Sequence, residues 1–280
     1  MNCFIFPGQP LSRGTSLPKD ADFLQVAELV RRVTHLDLES FSWLAGEGSE
    51  HLKLQLLGTA QSLYRLRCLQ HQGVRPDLIA EHSMGIYPAL AACGSISERQ
   101  AVELTWRIGS SFAGMAKTQQ YAFGCVIGLR LEPVLALARN NAVHLANHNT
   151  SRHFLLSGKS ENIALALAEA MESGAYSARS FSCDAPLHTP LMAELEHELR
   201  EIIADYGYAD PVCPLLNHLD QKYLLPADMP EFLLRELSLP VYWEKSCRAL
   251  RAAGGRNFIE VGAGEALKKY NRWIEVEDEG

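Results

Sequence analysis

The stretch Asp77-Leu78-Ile79-Ala80-Glu81-His82-Ser83-Met84-Gly85 places a serine directly after a short apolar run. That run is typical of a buried strand, and over residues 83–93 small and apolar side chains recur at helical intervals. A serine at a sharp strand-to-helix turn has the geometry of a nucleophile elbow, where backbone N–H groups of the helix start can bind an oxyanion. The alternative is that Ser83 only caps the helix that follows.

A second apolar run, Cys3-Phe4-Ile5-Phe6, stops at Pro7-Gly8 and predicts another buried strand. Between the two runs, residues 54–72 carry apolar side chains at helical spacing, ended by Gly73. A strand, a crossover helix and a second strand predict parallel pairing. The sequence around Ser83 therefore indicates an α/β protein with a central parallel sheet.

The middle of the chain changes pattern. We expect strands at 123–129, 153–156 and 178–182 and helices at 132–140 and 160–173, an order that indicates a small ferredoxin-like α+β unit. The final third returns to the first pattern, with helices at 193–206 and 241–253, strands at 212–216 and 257–261, and a frayed acidic end at 275–280. We therefore predict a large α/β domain of residues 1–120 and 186–280, with a small inserted domain of residues 121–185.

Composition narrows the classes of function. The chain has 280 residues, 47% of them hydrophobic, which is typical of a globular protein with a large core. Its net charge of −7 argues against nucleic-acid binding, and no apolar stretch approaches the roughly 20 residues that span a bilayer. Seven scattered cysteines form no C-x-x-C pair, so we expect neither a disulfide framework nor a zinc site, and we place the protein in the cytoplasm.

Two residues far from Ser83 in the chain are candidates for its chemistry. A nucleophilic serine needs a base, and His188 lies in a rigid loop between two prolines, although an inert loop histidine is the alternative. Arg107 lies in a helix of apolar and small residues, where its guanidinium could pair with a carboxylate. A surface arginine or an internal ion pair is the alternative. No metal-binding, dinucleotide or P-loop motif is present, and we expect no metal.

Taken in order, these segments resemble the malonyl-CoA:acyl carrier protein transacylase family, which includes the acyltransferase domains of fatty-acid and polyketide synthases. The resemblance covers nearly the whole chain. It rests on Phe6-Pro7-Gly8-Gln9, His82-Ser83-Met84-Gly85, Trp106-Arg107, Asn147-His148-Asn149-Thr150, Ala185-Pro186-Leu187-His188, Asn217, Pro240-Val241-Tyr242-Trp243 and Ile259-Glu260-Val261-Gly262-Ala263-Gly264.

The resemblance implies an α/β hydrolase-like large domain with a ferredoxin-like insert, and it implies roles. Malonyl-CoA would acylate Ser83, with His188 as the base, and the phosphopantetheine thiol of an acyl carrier protein would then take the malonyl group. The backbone N–H groups of Gln9 and Met84 would form the oxyanion hole. Arg107 would pair with the malonyl carboxylate. Asn217 and Glu236 would be supporting residues, and no cofactor would be bound permanently.

Departures from the family pattern and competing functions are part of the prediction. Pro10 and Glu81 stand where the family has glycine, and Glu236 where it often has glutamine, beside a backbone carbonyl that orients the histidine.

The carrier could serve fatty-acid synthesis, polyketide synthesis or a malonate decarboxylase. The competing functions are a hydrolase that clears acyl chains from carrier proteins, and a carrier-binding subunit without activity.

Overall fold

The computed structural model describes residues 1–14 and 16–279. In chain order the strands are β1 (Asn2–Phe6), β2 (Leu36–Asp37), β3 (Ser42–Trp43), β4 (Leu78–Glu81), β5 (Tyr121–Ile127), β6 (His144–Thr150), β7 (His153–Lys159), β8 (Ser177–Cys183), β9 (Leu215–Leu216) and β10 (Asn257–Glu260). The α-helices are α1 (Ala21–Thr34), α2 (Glu50–His71), α3 (Ile86–Ala92), α4 (Glu98–Ala116), α5 (Leu131–Asn140), α6 (Ser160–Glu172), α7 (Glu196–Ala204), α8 (Met229–Glu236), α9 (Trp243–Ala252) and α10 (Ala266–Glu279).

A four-stranded parallel sheet forms the centre, in the order β10-β1-β4-β9. Side chains of β1 alternate between its two faces, as the period of a strand requires. Phe4 and Phe6 pack in a core cluster with residues of α3, α4, α7 and α8, whereas Cys3 and Ile5 pack with residues of α9 and α10. The sheet is thus covered by helices on both sides, and its buried apolar strands are the ones expected from the sequence.

The second sheet is antiparallel, in the order β6-β7-β5-β8. Its strands and the helices α5 and α6 follow one another as β-α-β-β-α-β, which is the ferredoxin-like arrangement predicted. The predicted fold class is therefore confirmed. The division into a large domain of residues 1–120 and 186–280 and an insert of residues 121–185 stays a prediction. The strands of the parallel sheet all lie in the first set of residues, and those of the four-stranded antiparallel sheet all lie in the second.

Several predicted elements differ in extent, for local reasons. The helix after Ser83 begins with a 3-10 turn, Ser83–Gly85, and the predicted helix at 193–206 likewise begins with the 3-10 segment Pro190–Leu195. The strand predicted at 212–216 shortens to β9, since Pro214 has no N–H for a strand ladder. The end expected to fray remains helical to Glu279, while Gly280 lies outside the described residues.

The helices α1, α8 and α10 and the strand β6 are missing from the predictions, although the signals for α1 are in the sequence. The Asp20 side chain accepts a hydrogen bond from the Phe23 N–H and caps the helix. Phe23, Val26, Val30 and Val33 then recur at helical spacing and are all buried. Among the helices of residues 1–14 and 16–279, none is long and apolar enough to cross a membrane.

Candidate active site

Ser83 is the first residue of the 3-10 segment that links β4 to α3, and its backbone is strained. Its backbone φ of 57° is in the left-handed region, which costs a non-glycine residue free energy and is concentrated at functional sites. The turn is crowded, because a Cβ atom added to Gly85 would be 2.3 Å from the Phe6 carbonyl oxygen. The sharp strand-to-helix turn predicted for an elbow is thus present, and glycine at position 85 is what lets the turn lie against β1.

The structure brings His188 to Ser83. The Ser83 Oγ is 2.7 Å from His188 Nε2, although 105 residues separate them in the chain. This is the distance that a general base needs to take a proton from a hydroxyl. The histidine is held from its backbone as well, since its N–H donates to the Leu237 carbonyl oxygen at 2.8 Å and its φ is 61°.

The other ring nitrogen of His188 fixes the state of the imidazole. Nδ1 is 2.7 Å from the backbone carbonyl oxygen of Glu236, which can only accept, so Nδ1 carries a hydrogen and Nε2 is free to act as base. The Glu236 carboxyl is farther away, with Oε2 3.8 Å from Nδ1. Burial, and secondly the neighbouring His218, lower the pKa of His188 to about 3. The ring is therefore neutral at physiological pH.

The segments that carry Gln9 and Met84 lie beside the nucleophile. A Cβ atom on Gly8 would be 3.2 Å from His82 Nδ1 and 3.6 Å from Ser83 Cβ, so the loop before Gln9 touches the elbow. Met84 is the second residue of the 3-10 segment, where backbone N–H groups have no partner within the helix. This arrangement fits an oxyanion hole built from the two backbone N–H groups, although that role stays a prediction.

Arg107 is paired with side chains at the end of α7. Its guanidinium bonds to Asp205 at 2.7 Å and to the Tyr206 hydroxyl at 3.4 Å, between α4 and the end of α7. The physical reason is helical geometry, because successive side chains leave a helix about 100° apart. The next residue, Ile108, is the one whose side chain enters the core cluster that contains Met84. The observed contacts of Arg107 thus give no support to its predicted role as carboxylate partner.

The hydrogen bonds of the Asn217 side chain hold a turn, and its predicted supporting role stays a prediction. Its Oδ1 accepts hydrogen bonds from the backbone N–H groups of Leu219 and Asp220, and its Nδ2 donates to the Lys222 carbonyl oxygen. These bonds hold the loop that leaves β9. Of the two predicted supporting residues, Glu236 therefore contacts His188 directly, whereas Asn217 shapes a neighbouring loop.

The sequence did not reveal two polar contacts at the elbow. His82 Nε2 is 2.9 Å from the Asn149 Oδ1, which joins the elbow to β6. Glu81 Oε1 is 2.7 Å from His218 Nδ1, and both side chains are fully buried. The signal for Glu81 was its departure from the family pattern, whereas nothing in the sequence indicated that His218 would be its partner.

A metal centre is not found in the described part of the chain: no three His, Cys, Asp or Glu side chains of residues 1–14 and 16–279 are grouped so as to hold an ion. All seven cysteines are free. The site brings together a serine hydroxyl, a neutral imidazole and backbone N–H groups, which are the groups that nucleophilic catalysis by serine needs.

Comparison with known proteins agrees with this geometry. Residues 49–269 match the acyl transferase domain family. A malonyl CoA-acyl carrier protein transacylase of Bacillus subtilis is 30% identical, with 98% of this chain and 91% of the relative covered. A polyketide biosynthesis protein of Burkholderia thailandensis is 24% identical, with 98% of this chain but 24% of the relative covered.

A solved structure shows the same similarity in three dimensions. The malonyl CoA-acyl carrier protein transacylase of Coxiella burnetii superposes with a TM-score of 0.87 at 25% identity, covering 99% of this chain and 91% of the other. The elbow serine, the histidine that meets it and the match over most of the sequence lead to one conclusion: this chain belongs to the acyl transferase domain family.

Proposed function

We propose that the protein transfers a malonyl group from coenzyme A to the phosphopantetheine thiol of an acyl carrier protein, through an ester on Ser83. The observation that carries the proposal is the 2.7 Å contact between Ser83 Oγ and His188 Nε2 at a strained elbow. The donor and the acceptor come from the family and from the relatives named as malonyl CoA-acyl carrier protein transacylases. Malonyl-CoA and the carrier are substrates, and we propose that no cofactor is permanently bound.

The first half-reaction uses Ser83 as nucleophile and His188 as base, and the two residues together are called the dyad. His188 Nε2 takes the proton as Ser83 Oγ attacks the thioester carbonyl, and the oxyanion is bound by the N–H groups of Gln9 and Met84. The imidazolium donates from Nδ1 to the Glu236 carbonyl, which stabilises the charge. The intermediate then releases coenzyme A, whose thiolate takes the proton from Nε2.

The second half-reaction runs the same steps with the carrier. The phosphopantetheine thiol gives its proton to His188 Nε2 while its sulfur attacks the malonyl ester. Ser83 Oγ leaves and takes the proton back, so the enzyme returns to its starting state. A buried His188 is neutral before each half-reaction, which lets the same nitrogen accept a proton twice.

The compartment and the pathway are proposals of the same kind. Seven free cysteines fit a reducing compartment such as the cytoplasm. The relatives point to a carrier of fatty-acid or polyketide synthesis, since their names include malonyl CoA-acyl carrier protein transacylases and a polyketide biosynthesis protein.

The test is direct capture of the acyl-enzyme. Wild-type protein incubated with radiolabelled malonyl-CoA should retain label after denaturation, and Ser83→Ala should retain none. His188→Ala should slow labelling by about 100-fold to 10,000-fold, the usual contribution of a general base. Adding a carrier that bears phosphopantetheine should move the label to the carrier, whereas a carrier without it should not. An unlabelled wild-type protein would exclude the proposal, and release of the label to water alone would indicate a hydrolase.

A further inference from the structure

A glutamate and a histidine are buried together behind the dyad. Glu81 ends β4, and His218 lies two residues after β9, the neighbouring strand. Both are 0% exposed. Glu81 Oε1 accepts hydrogen bonds from His218 twice, from Nδ1 at 2.7 Å and from the backbone N–H at 3.3 Å. Burying polar groups of this kind costs free energy unless they are hydrogen-bonded. The backbone hydrogen bonds that pair β4 with its neighbours do not need an acid at this position.

The ring of His218 lies against the catalytic base. It stands edge-on to the His188 ring, with centroids 6.4 Å apart and planes at 86°. On another side it packs against Phe232 of α8, with centroids 5.5 Å apart. The His188 ring is therefore bounded by Ser83 at Nε2, by the Glu236 carbonyl at Nδ1, and by the edge-to-face contact with His218.

We propose that Glu81 and His218 are positioning residues: Glu81 fixes the His218 ring, and that ring holds the His188 imidazole between Ser83 and the Glu236 carbonyl. The inference rests on the proposed acyl transfer. The proposal explains why an acid stands two residues before Ser83: the hydrogen bond of Glu81 connects β4 to His218, which contacts the His188 ring. A displacement of a reacting group by about 1 Å can cost on the order of 100-fold in rate, so such a support has a measurable effect.

The pair acts through orientation rather than through charge. Burial raises the pKa of Glu81 well above its usual value and lowers the pKa of His218 to about 3, so burial disfavours charge on both groups. Burial, and to a smaller extent the neighbouring Glu81, also raise the pKa of Glu236. The titratable groups facing the pair are Glu236, Tyr87, His82 and His188. A glutamine at position 81 keeps an oxygen that accepts both bonds from His218 and carries no charge, so it separates orientation from charge.

The experiment compares Glu81→Gln, Glu81→Ala and the double variant Glu81→Ala/His218→Ala with the wild type. Rapid-quench labelling with malonyl-CoA gives the maximal acylation rate and the half-saturating concentration, and thermal denaturation reports folding. We expect Glu81→Gln to stay within about threefold of the wild type in both constants. We expect Glu81→Ala to lower the maximal rate at least tenfold while the half-saturating concentration changes less than twofold, because the base is misplaced but the binding surface is kept.

The double variant separates positioning from loss of stability. Unlike Glu81→Ala, it leaves no buried histidine without its partner, and since the two residues act as a unit its rate should be no lower than that of Glu81→Ala. A folded Glu81→Ala or double variant that acylates at the wild-type rate would overturn the inference. A folded Glu81→Gln that loses tenfold would overturn it too, since charge would then be what matters. Absence of labelling in the wild type would instead refute the proposed function.

Discussion

Gly85 is the residue whose replacement most directly tests the elbow. Its φ of −57° is ordinary for any amino acid, so alanine at this position meets no backbone strain. Space is the obstacle. The added Cβ would be 2.3 Å from the Phe6 carbonyl oxygen and 2.8 Å from the Pro7 carbonyl oxygen, whereas ordinary contacts are 3.4–4 Å. Both obstacles are backbone atoms, which cannot rotate away as a flexible side chain could.

The size of the effect follows from that overlap. Relief requires the elbow and β1 to separate by about 1 Å, and a displacement of that size at reacting groups costs on the order of 100-fold in rate. Overpacking of a well-packed interior costs about 1–3 kcal/mol of folding free energy. We therefore expect Gly85→Ala to fold with a Tm several degrees lower and to form the malonyl ester on Ser83 about 100-fold more slowly.

The assay is the rate of labelling by malonyl-CoA in a rapid-quench instrument, with Gly114→Ala as the matched control. Gly114 lies in α4, and a Cβ atom there would have nothing within 4 Å. Because alanine is favoured over glycine inside a helix by about 1 kcal/mol, the control should be slightly more stable and fully active. Wild-type labelling by a folded Gly85→Ala would show that Ser83 does not depend on close packing of the elbow against β1, and the reasoning would fail.

Three further predictions concern the groups around the dyad. Since Arg107 bonds to Asp205 and Tyr206, we expect Arg107→Ala to change malonyl and acetyl labelling equally and by less than about threefold, with a stability loss of about 1 kcal/mol or less for a partly exposed pair; selective loss of malonyl labelling would place the guanidinium in the site. Burial lowers the pKa of His188 to about 3 and so keeps the ring neutral, and we expect the labelling rate to be nearly constant from pH 5 to 8. For an imidazole of pKa near 6.5, the rate at pH 5 would be about thirtyfold lower than at pH 8. A thirtyfold fall in the labelling rate would contradict the argument that burial lowers this pKa. Glu236→Gln should keep the wild-type rate within about threefold, because His188 donates to the backbone carbonyl and not to the carboxyl; a tenfold loss would assign the carboxyl a direct part.

Local sequence signals predicted the fold class well. Short apolar runs at β1 and β4 and a helical segment between them predict parallel strands, because a crossover is needed to return the chain in the same direction. For the insert, the same local signals predict the order β-α-β-α-β, and the structure adds the missing strand β6. Boundaries were less accurate, as at β9, where pairing depends on backbone N–H groups that Pro214 does not offer.

The sequence by itself determined that Ser83 follows a buried strand and that His188 lies in a loop stiffened by prolines, since turn chemistry and hydrophobic period are local properties. The tertiary structure alone decided which distant side chains meet. Arg107 and Ile108 are neighbours in α4, yet Arg107 points towards α7 and Ile108 packs in the core, because successive side chains leave a helix about 100° apart. The meeting of Glu81 with His218 was decided in the same way, because adjacent strands bring together residues 137 positions apart.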